Sequence, residues 1–320
     1  MLKKLTSMNR YVMYLLLVVM TVVPLLIKGV VVPTVTSQNT EDFFLALNDL
    51  PENSTVFLES DWTVSTQGEN AGQMVAILKA LRMRNVKFVI YSCSDAQAPL
   101  VALNVIRKLN KEFKAAGVPE FKEWEDYVTA GFYPDIDALY LAIANNPRSP
   151  FKGKVGSDSA GKQREILESP VLKGIKKPAD IAMVINISAS GTLKSIVQRV
   201  YGKIKIAPAV TGVMGPEAMN YYASKQVVGL SVGLRGAVEM ETMMARGINY
   251  VEKPGNPPFV KAPQSPKILE PYSKKYEKLP AYGRGMQYFA SLHAALTLLI
   301  FAVILGNVGL IASRKKGGNN

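Results

Sequence analysis

Tyr288 to Ala312 is a run of 25 residues without Asp, Glu, Lys or Arg. About 20 apolar residues are enough to cross a bilayer as a helix, because lipid leaves no other way to satisfy the backbone. This run therefore constrains the chain more than any other feature. Arg314, Lys315 and Lys316 follow it directly. A second run, Tyr11 to Ile27, holds 17 uncharged residues and follows Lys3, Lys4 and Arg10. It extends to Val32 if Lys28 snorkels. The two runs predict transmembrane helices over 11–32 and 288–312. The first reads as an uncleaved signal anchor, with a cleaved signal peptide as the alternative. Basic residues flank the outer end of each run. The positive-inside rule then predicts cytoplasmic termini, 1–10 and 313–320, and an extracytoplasmic domain over 33–250.

The second run carries two polar residues. His293 lies near its start, at headgroup depth. Asn307 stands beside Gly306 and Gly309, and Ala302 with Gly306 makes a small-xxx-small spacing that suits helix packing. These four, Ala302, Gly306, Asn307 and Gly309, are the expected packing face within the membrane.

The interior alternates in period. Short β-branched runs (54–60, 86–92, 180–188, 203–211) alternate with segments of helical spacing, such as 70–85 with Met74, Ile77, Leu78 and Leu81. Residues 95–117 read as a helix with Asp95 as N-cap and Gly117 as C-cap. Residues 125–132 read as a weaker strand, and Pro216 opens a helix at its first position. Strand–helix alternation with short links implies parallel strands with crossovers. The expected fold is a three-layer α/β domain with a mostly parallel sheet, Rossmann-like or flavodoxin-like, flanked by two transmembrane helices. A Gly, Ser and Lys-rich stretch leaves room for two halves joined near 147–178. Residues 251–287, with seven prolines between 251 and 284, read as a basic, semi-rigid connector. Its tyrosines Tyr272, Tyr276, Tyr282 and Tyr288 would suit a membrane surface.

Ligands of parallel sheets sit outside the carboxyl ends of the strands. Those ends carry Asp61; Ser92, Cys93, Ser94 and Asp95; Ser188, Ser190, Gly191 and Thr192; and Thr211, Gly212 and Gly215. Small polar residues cap helices, and free N–H groups at a helix start can also hold an anion. Neither of the glycine-rich nucleotide-binding spacings is present. Ser92, Ser94, Asp95, Ser188, Ser190, Gly191, Thr192, Thr211 and Gly212 are the candidate ligand residues. The chain has one cysteine, Cys93, and one histidine, His293. This count excludes an intrachain disulfide and a Cys–His zinc site, and the place of His293 in a predicted membrane helix argues against a Ser–His–Asp triad. No catalytic residue, metal site or cofactor is assigned. Ser190 with Lys194 is the one nucleophile pair to consider.

Residues 233–241, Gly-Leu-Arg-Gly-Ala-Val-Glu-Met-Glu, fall in a segment from Asp180 to Gly247. Together with "EDYVTAGFYPD" it resembles a group of membrane-anchored bacterial and archaeal α/β proteins carrying G-L-[KR]-G-A-x-E-x-E. The resemblance covers about half the chain and implies the fold and a membrane tether. No activity is assigned to that group, so no catalytic residue carries over. Glycines among apolar residues allow close backbone approach. They admit two readings, tight packing on the sheet or a docking face with Gly233, Arg235, Gly236, Glu239 and Glu241.

The expected function is a non-enzymatic, membrane-anchored component of an envelope or membrane protein complex, with an α/β domain for assembly or ligand sensing. Its expected partners are the lipid bilayer and other membrane proteins or a second copy of itself. The alternative is a membrane-tethered enzyme or binder of a small anionic ligand, for example a Ser/Lys hydrolase. The basic residues of the connector lack aromatic stacking motifs, which argues against nucleic acid.

Overall fold

The interior strands are apolar on both faces, as a parallel sheet covered by helices on each side requires. A computed structural model of the chain describes residues 10–27, 30–249 and 268–317. It contains one six-stranded parallel sheet. The strands are β1 (Thr55–Asp61), β2 (Lys87–Ser92), β3 (Tyr127–Phe132), β4 (Ile181–Ser188), β5 (Ile206–Val210) and β6 (Ser231–Val232). Their order is β3-β2-β1-β4-β5-β6. The chain builds outward to β3, then returns to the centre to lay β4 against β1.

Side chains alternate across each strand. Val56 and Leu58, Phe88 and Ile90, and Met183, Ile185 and Ile187 enter one core. They meet α2 (Gln38–Asn48), α3 (Gln67–Met83), α4 (Ala98–Ala116) and α8 (Gly233–Arg246). Phe57, Val89, Tyr91 and Val184 enter the other core. There they meet α5 (Ile136–Asn145), α6 (Leu193–Val200) and α7 (Gly215–Ala223). Residues 34–285 form one unit.

Residues 147–178 carry the chain from the β1–β3 half of the sheet back to the centre, where β4 begins the other half. Phe151, Ile166, Leu167, Val171, Leu172 and Ile175 are buried in the second core, around a small antiparallel hairpin of Val155–Ser157 with Gln163–Glu165. Scattered Gly, Ser and Lys hid an apolar spacing that belongs to neither a helix nor a strand. The start of α4 differs as well. Its N-cap is Gln97, and Asp95 sits two residues earlier, where its Oδ1 accepts the Gln97 N–H at 2.6 Å. Gly117 closes the helix as expected.

Among the described residues one helix, not two, is long and apolar enough to cross a membrane. It lies in α9 (Arg284–Gly317), over Arg284–Ile311, with a mean hydropathy of 2.5. Helix α1 (Arg10–Leu26) has 17 residues and contains Pro24. At about 1.5 Å per residue its described length is less than a hydrocarbon core about 30 Å thick, and residues 1–9, 28 and 29 at its ends lie outside the described residues. Lys28 lies outside the described residues. Residues 1–33 and 286–320 form a separate unit, in which Ser291 Oγ donates to the Thr21 carbonyl at 2.6 Å.

The connector is only partly a connector. Residues 250–267 lie outside the described residues. Ile268–Leu269 pairs antiparallel with Ile248–Asn249. Tyr272 is buried rather than placed at an interface. Its hydroxyl donates to Asn48 Oδ1 at 3.0 Å, and its ring lies 6.0 Å from that of Phe44. Leu279 is buried in the same core, and Lys79 Nζ donates to the Pro280 carbonyl at 2.7 Å.

Gly229 sits where α2 meets the turn before β6. A Cβ there would lie 2.2 Å from the Phe43 nitrogen. Backbone at that distance cannot yield by a rotamer change. Gly229→Ala is expected to lower stability by about 1–3 kcal/mol or more, read as a fall in melting temperature of the purified chain.

Candidate functional site

The sheet changes direction of growth between β1 and β4, and parallel sheets leave a crevice at the carboxyl ends of such a pair. Register decides what lines it. Glu59 pairs with Asn186, and Asp61 with Ser188. On the other side Glu59 pairs with Tyr91 of β2. Glu59 and Asp61 are two apart on β1 and share the face of Phe57. All four polar residues are buried: Glu59, Asn186 and Ser188 at 0% exposure and Asp61 at 1%.

Asp61 Oδ1 accepts from Ser92 Oγ at 2.7 Å, the Cys93 N–H at 2.7 Å and the Ser94 N–H at 3.2 Å. It thereby organises the turn after β2. Glu59 Oε2 accepts from the Tyr140 hydroxyl, which lies 2.8 Å from that of Tyr91. Asn186 Nδ2 donates to Thr192 Oγ1 at 3.1 Å. Ser188 Oγ accepts the Ser190 N–H at 2.9 Å and lies 3.1 Å from Thr192 Oγ1. Three buried oxygens at this place have no hydrogen-bond partner: Glu59 Oε1, Asp61 Oδ2 and Asn186 Oδ1.

Burial raises the Glu59 carboxyl well above its ordinary range, and the nearby charge of Asp61 adds to the rise. Burial likewise raises the Cys93 thiol, with further contributions from Glu59 and Asp61. Cys93 is thus a protonated, buried thiol and a poor nucleophile. Burial raises the Tyr91 and Tyr140 hydroxyls as well, so they act as neutral hydrogen-bond groups.

The structure joins most of the strand-end residues read from the sequence. Ser92, Ser94 and Asp95 are linked through Asp61 Oδ1 and Ser92 Oγ. Ser188, Ser190 and Thr192 form one hydroxyl cluster. The Thr211 N–H donates to the Ser188 carbonyl at 3.0 Å, and the Gly212 N–H to Glu69 Oε2 at 2.7 Å. Gly191 is exposed, with open space at its Cβ position. Ser190 and Lys194 do not share a helix. Helix α6 starts at Leu193, and the Ser190 hydroxyl lies 3.1 Å from that of Ser188. The carboxylates at this edge, Glu59, Asp61 and Glu69, suit hydrogen-bond donors or a cation rather than an anion.

The residues of the 233–241 segment are placed by packing. Gly233, at φ 56°, turns the chain into α8, and Gly236 abuts Ser231, whose Oγ would lie 2.3 Å from an added Cβ. Glu239 and Glu241 are buried within the domain. Glu239 Oε2 accepts from Ser37 Oγ at 2.5 Å, and its Oε1 pairs with exposed Arg235 at 2.7 Å. Glu241 Oε1 accepts the Gly285 N–H at 3.2 Å. In α9, Ala302 and Gly306 are half-buried and Gly309 is buried, whereas Asn307 is exposed.

The sequence reading missed Glu59, Glu69, Tyr91, Tyr140 and Asn186. One had a signal: Asn186 interrupts the apolar run of β4. Comparison with protein-family models, curated proteins and solved structures gives no match. The resemblance of residues 180–247 therefore carries no family assignment.

A carboxyl whose native pKa is raised binds its proton more tightly folded than unfolded. Stability then falls as pH rises above the ordinary Glu value of about 4.3. In chelator-treated protein, Glu59→Gln is expected to melt higher than wild type at about pH 8 by about 2–4 °C or more, the shift that 1 kcal/mol produces in a domain of this size. The gap should close towards about pH 4. Melting curves across pH check this, and a constant gap would refute it.

Proposed function

We propose that this chain is a membrane-tethered, non-enzymatic component of a membrane or envelope protein complex, whose α/β domain senses a small ligand at the carboxyl ends of β1 and β4. The observation that carries the reading is the set of buried, partnerless polar atoms at the reversal of the sheet. The strand order is the Rossmann-like one, in which that reversal is the ligand crevice. Helix α9 is the tether. With α9 crossing the membrane, the positive-inside rule makes the basic tail after it cytoplasmic and puts the α/β domain on the opposite face.

Hydrolysis has less support. Ser190 hydrogen-bonds to a neighbouring serine, the Cys93 thiol is buried, and the single histidine, His293, lies in α9. None of the three has a base within reach among the hydrogen bonds of the described residues.

Membranes carrying the protein should retain it through alkaline carbonate extraction. Crosslinking before solubilisation should give species larger than the monomer. Release by carbonate, or recovery only as an uncrosslinked monomer, would sink the proposal. A serine-reactive phosphonate should not label the protein; labelling that Ser190→Ala abolishes would favour the hydrolase instead.

A further inference from the structure

Three side chains at the ends of β1 and β4 share one pattern. Each is anchored through one polar atom and presents the other without a partner. Asp61 is held by Oδ1, through Ser92, Cys93 and Ser94. Glu59 is held by Oε2, through Tyr140. Asn186 is held by Nδ2, through Thr192. The presented atoms, Asp61 Oδ2, Glu59 Oε1 and Asn186 Oδ1, are all oxygens, on side chains no more than 1% exposed. Glu59 faces Asn186 across the β1–β4 ladder, and the side chains of Asp61 and Thr192 act on its carboxyl. A buried acceptor without a donor destabilises a fold, so three at one place call for a common occupant.

The geometry points to a cation site in which Asp61 Oδ2, Glu59 Oε1 and Asn186 Oδ1 hold a hard divalent cation of the Ca²⁺ or Mg²⁺ class. Two carboxylates and an amide oxygen are the donors such ions take. The hydrogen bonds on the second atom of each side chain are the outer shell that orients ligands. Softer metals would call for imidazole or thiolate, and the set contains neither. Among the described residues no group of three or more His, Cys, Asp or Glu could hold a metal ion. The proposed set has two carboxyl groups, with the Asn186 amide as its third protein ligand and water to complete the shell.

This inference rests on reading the strand ends as a ligand site, and not on the membrane complex. A monomeric protein that binds the cation would keep the site and lose the complex. The full-length protein, purified in detergent and stripped with chelator, is titrated with CaCl₂ and separately with MgCl₂ by calorimetry and by melting. Saturable, stoichiometric binding with a rise in melting temperature is expected for at least one of the ions. Glu59→Gln and Asp61→Asn should weaken it by at least about 10–100-fold, the loss that an outer-shell change already produces. Lys173→Ala, at an exposed position away from the strand ends, should bind as wild type. Glu59→Gln keeps the shape of the neutral carboxyl, so its folding is not at risk, and circular dichroism confirms it. Absence of saturable binding of either ion, or binding that survives in both variants, overturns the site. Stability that responds to pH and not to either cation also overturns it, and assigns the oxygens to a shared proton or a buried water.

Discussion

The parallel pairing of β1 with β4 is the contact on which the rest of the domain depends. It joins Thr55–Asp61 to Ile181–Ser188, across a chain separation that includes three α-helices, two strands of the sheet and the small hairpin. Closing so long a loop costs entropy, and the two cores on either side of the sheet offset it. The pairing also fixes the site. A slip of one residue would send Asn186 and Ser188 into the opposite core and part them from Glu59 and Asp61. Fold and site are thus set by a single register.

Buried charge in this domain serves to hold chain segments rather than to decorate a surface. Asp61 gathers the turn after β2 with one oxygen. Helix α8 does something similar with two glutamates two residues apart. Glu239 takes Ser37, at the start of α2, and Glu241 takes the Gly285 N–H, in the first turn of α9. Thr242 adds a contact to Thr34 at 3.2 Å. The segments that enter and leave the domain are therefore clasped by one helix. Lys79 reinforces the exit through Pro280, at the expense of a lowered ammonium pKa from burial. The glycines of residues 233–241 belong to the same arrangement, since they let α8 lie close enough for the clasp.

Ser92, Ser188, Ser190 and Thr192 were legible as strand-end residues because small polar side chains stand out after apolar runs. Glu59 and Asn186 were less so. In one dimension Glu59 merges with the polar strand end of Ser60 and Asp61, and Asn186 stands alone in an apolar run; only a sheet shows that they are neighbours. Tyr140 had no signal, because a tyrosine in an amphipathic helix reads as core, which it also is. The buried residues of 147–178 and Tyr272 were hidden by prolines, glycines and lysines around them.

By itself the sequence determined the elements with a strong period: the alternating strands and helices, the parallel class that their short links imply, and the apolar length of α9. Those follow from local patterns, which need no partner to be read. Only the tertiary structure decided the strand order, the register that brings Glu59, Asp61 and Asn186 together, and the inward direction of Glu239 and Glu241. Each of these depends on which residues meet across long stretches of chain, and hydrophobic pattern is silent on that.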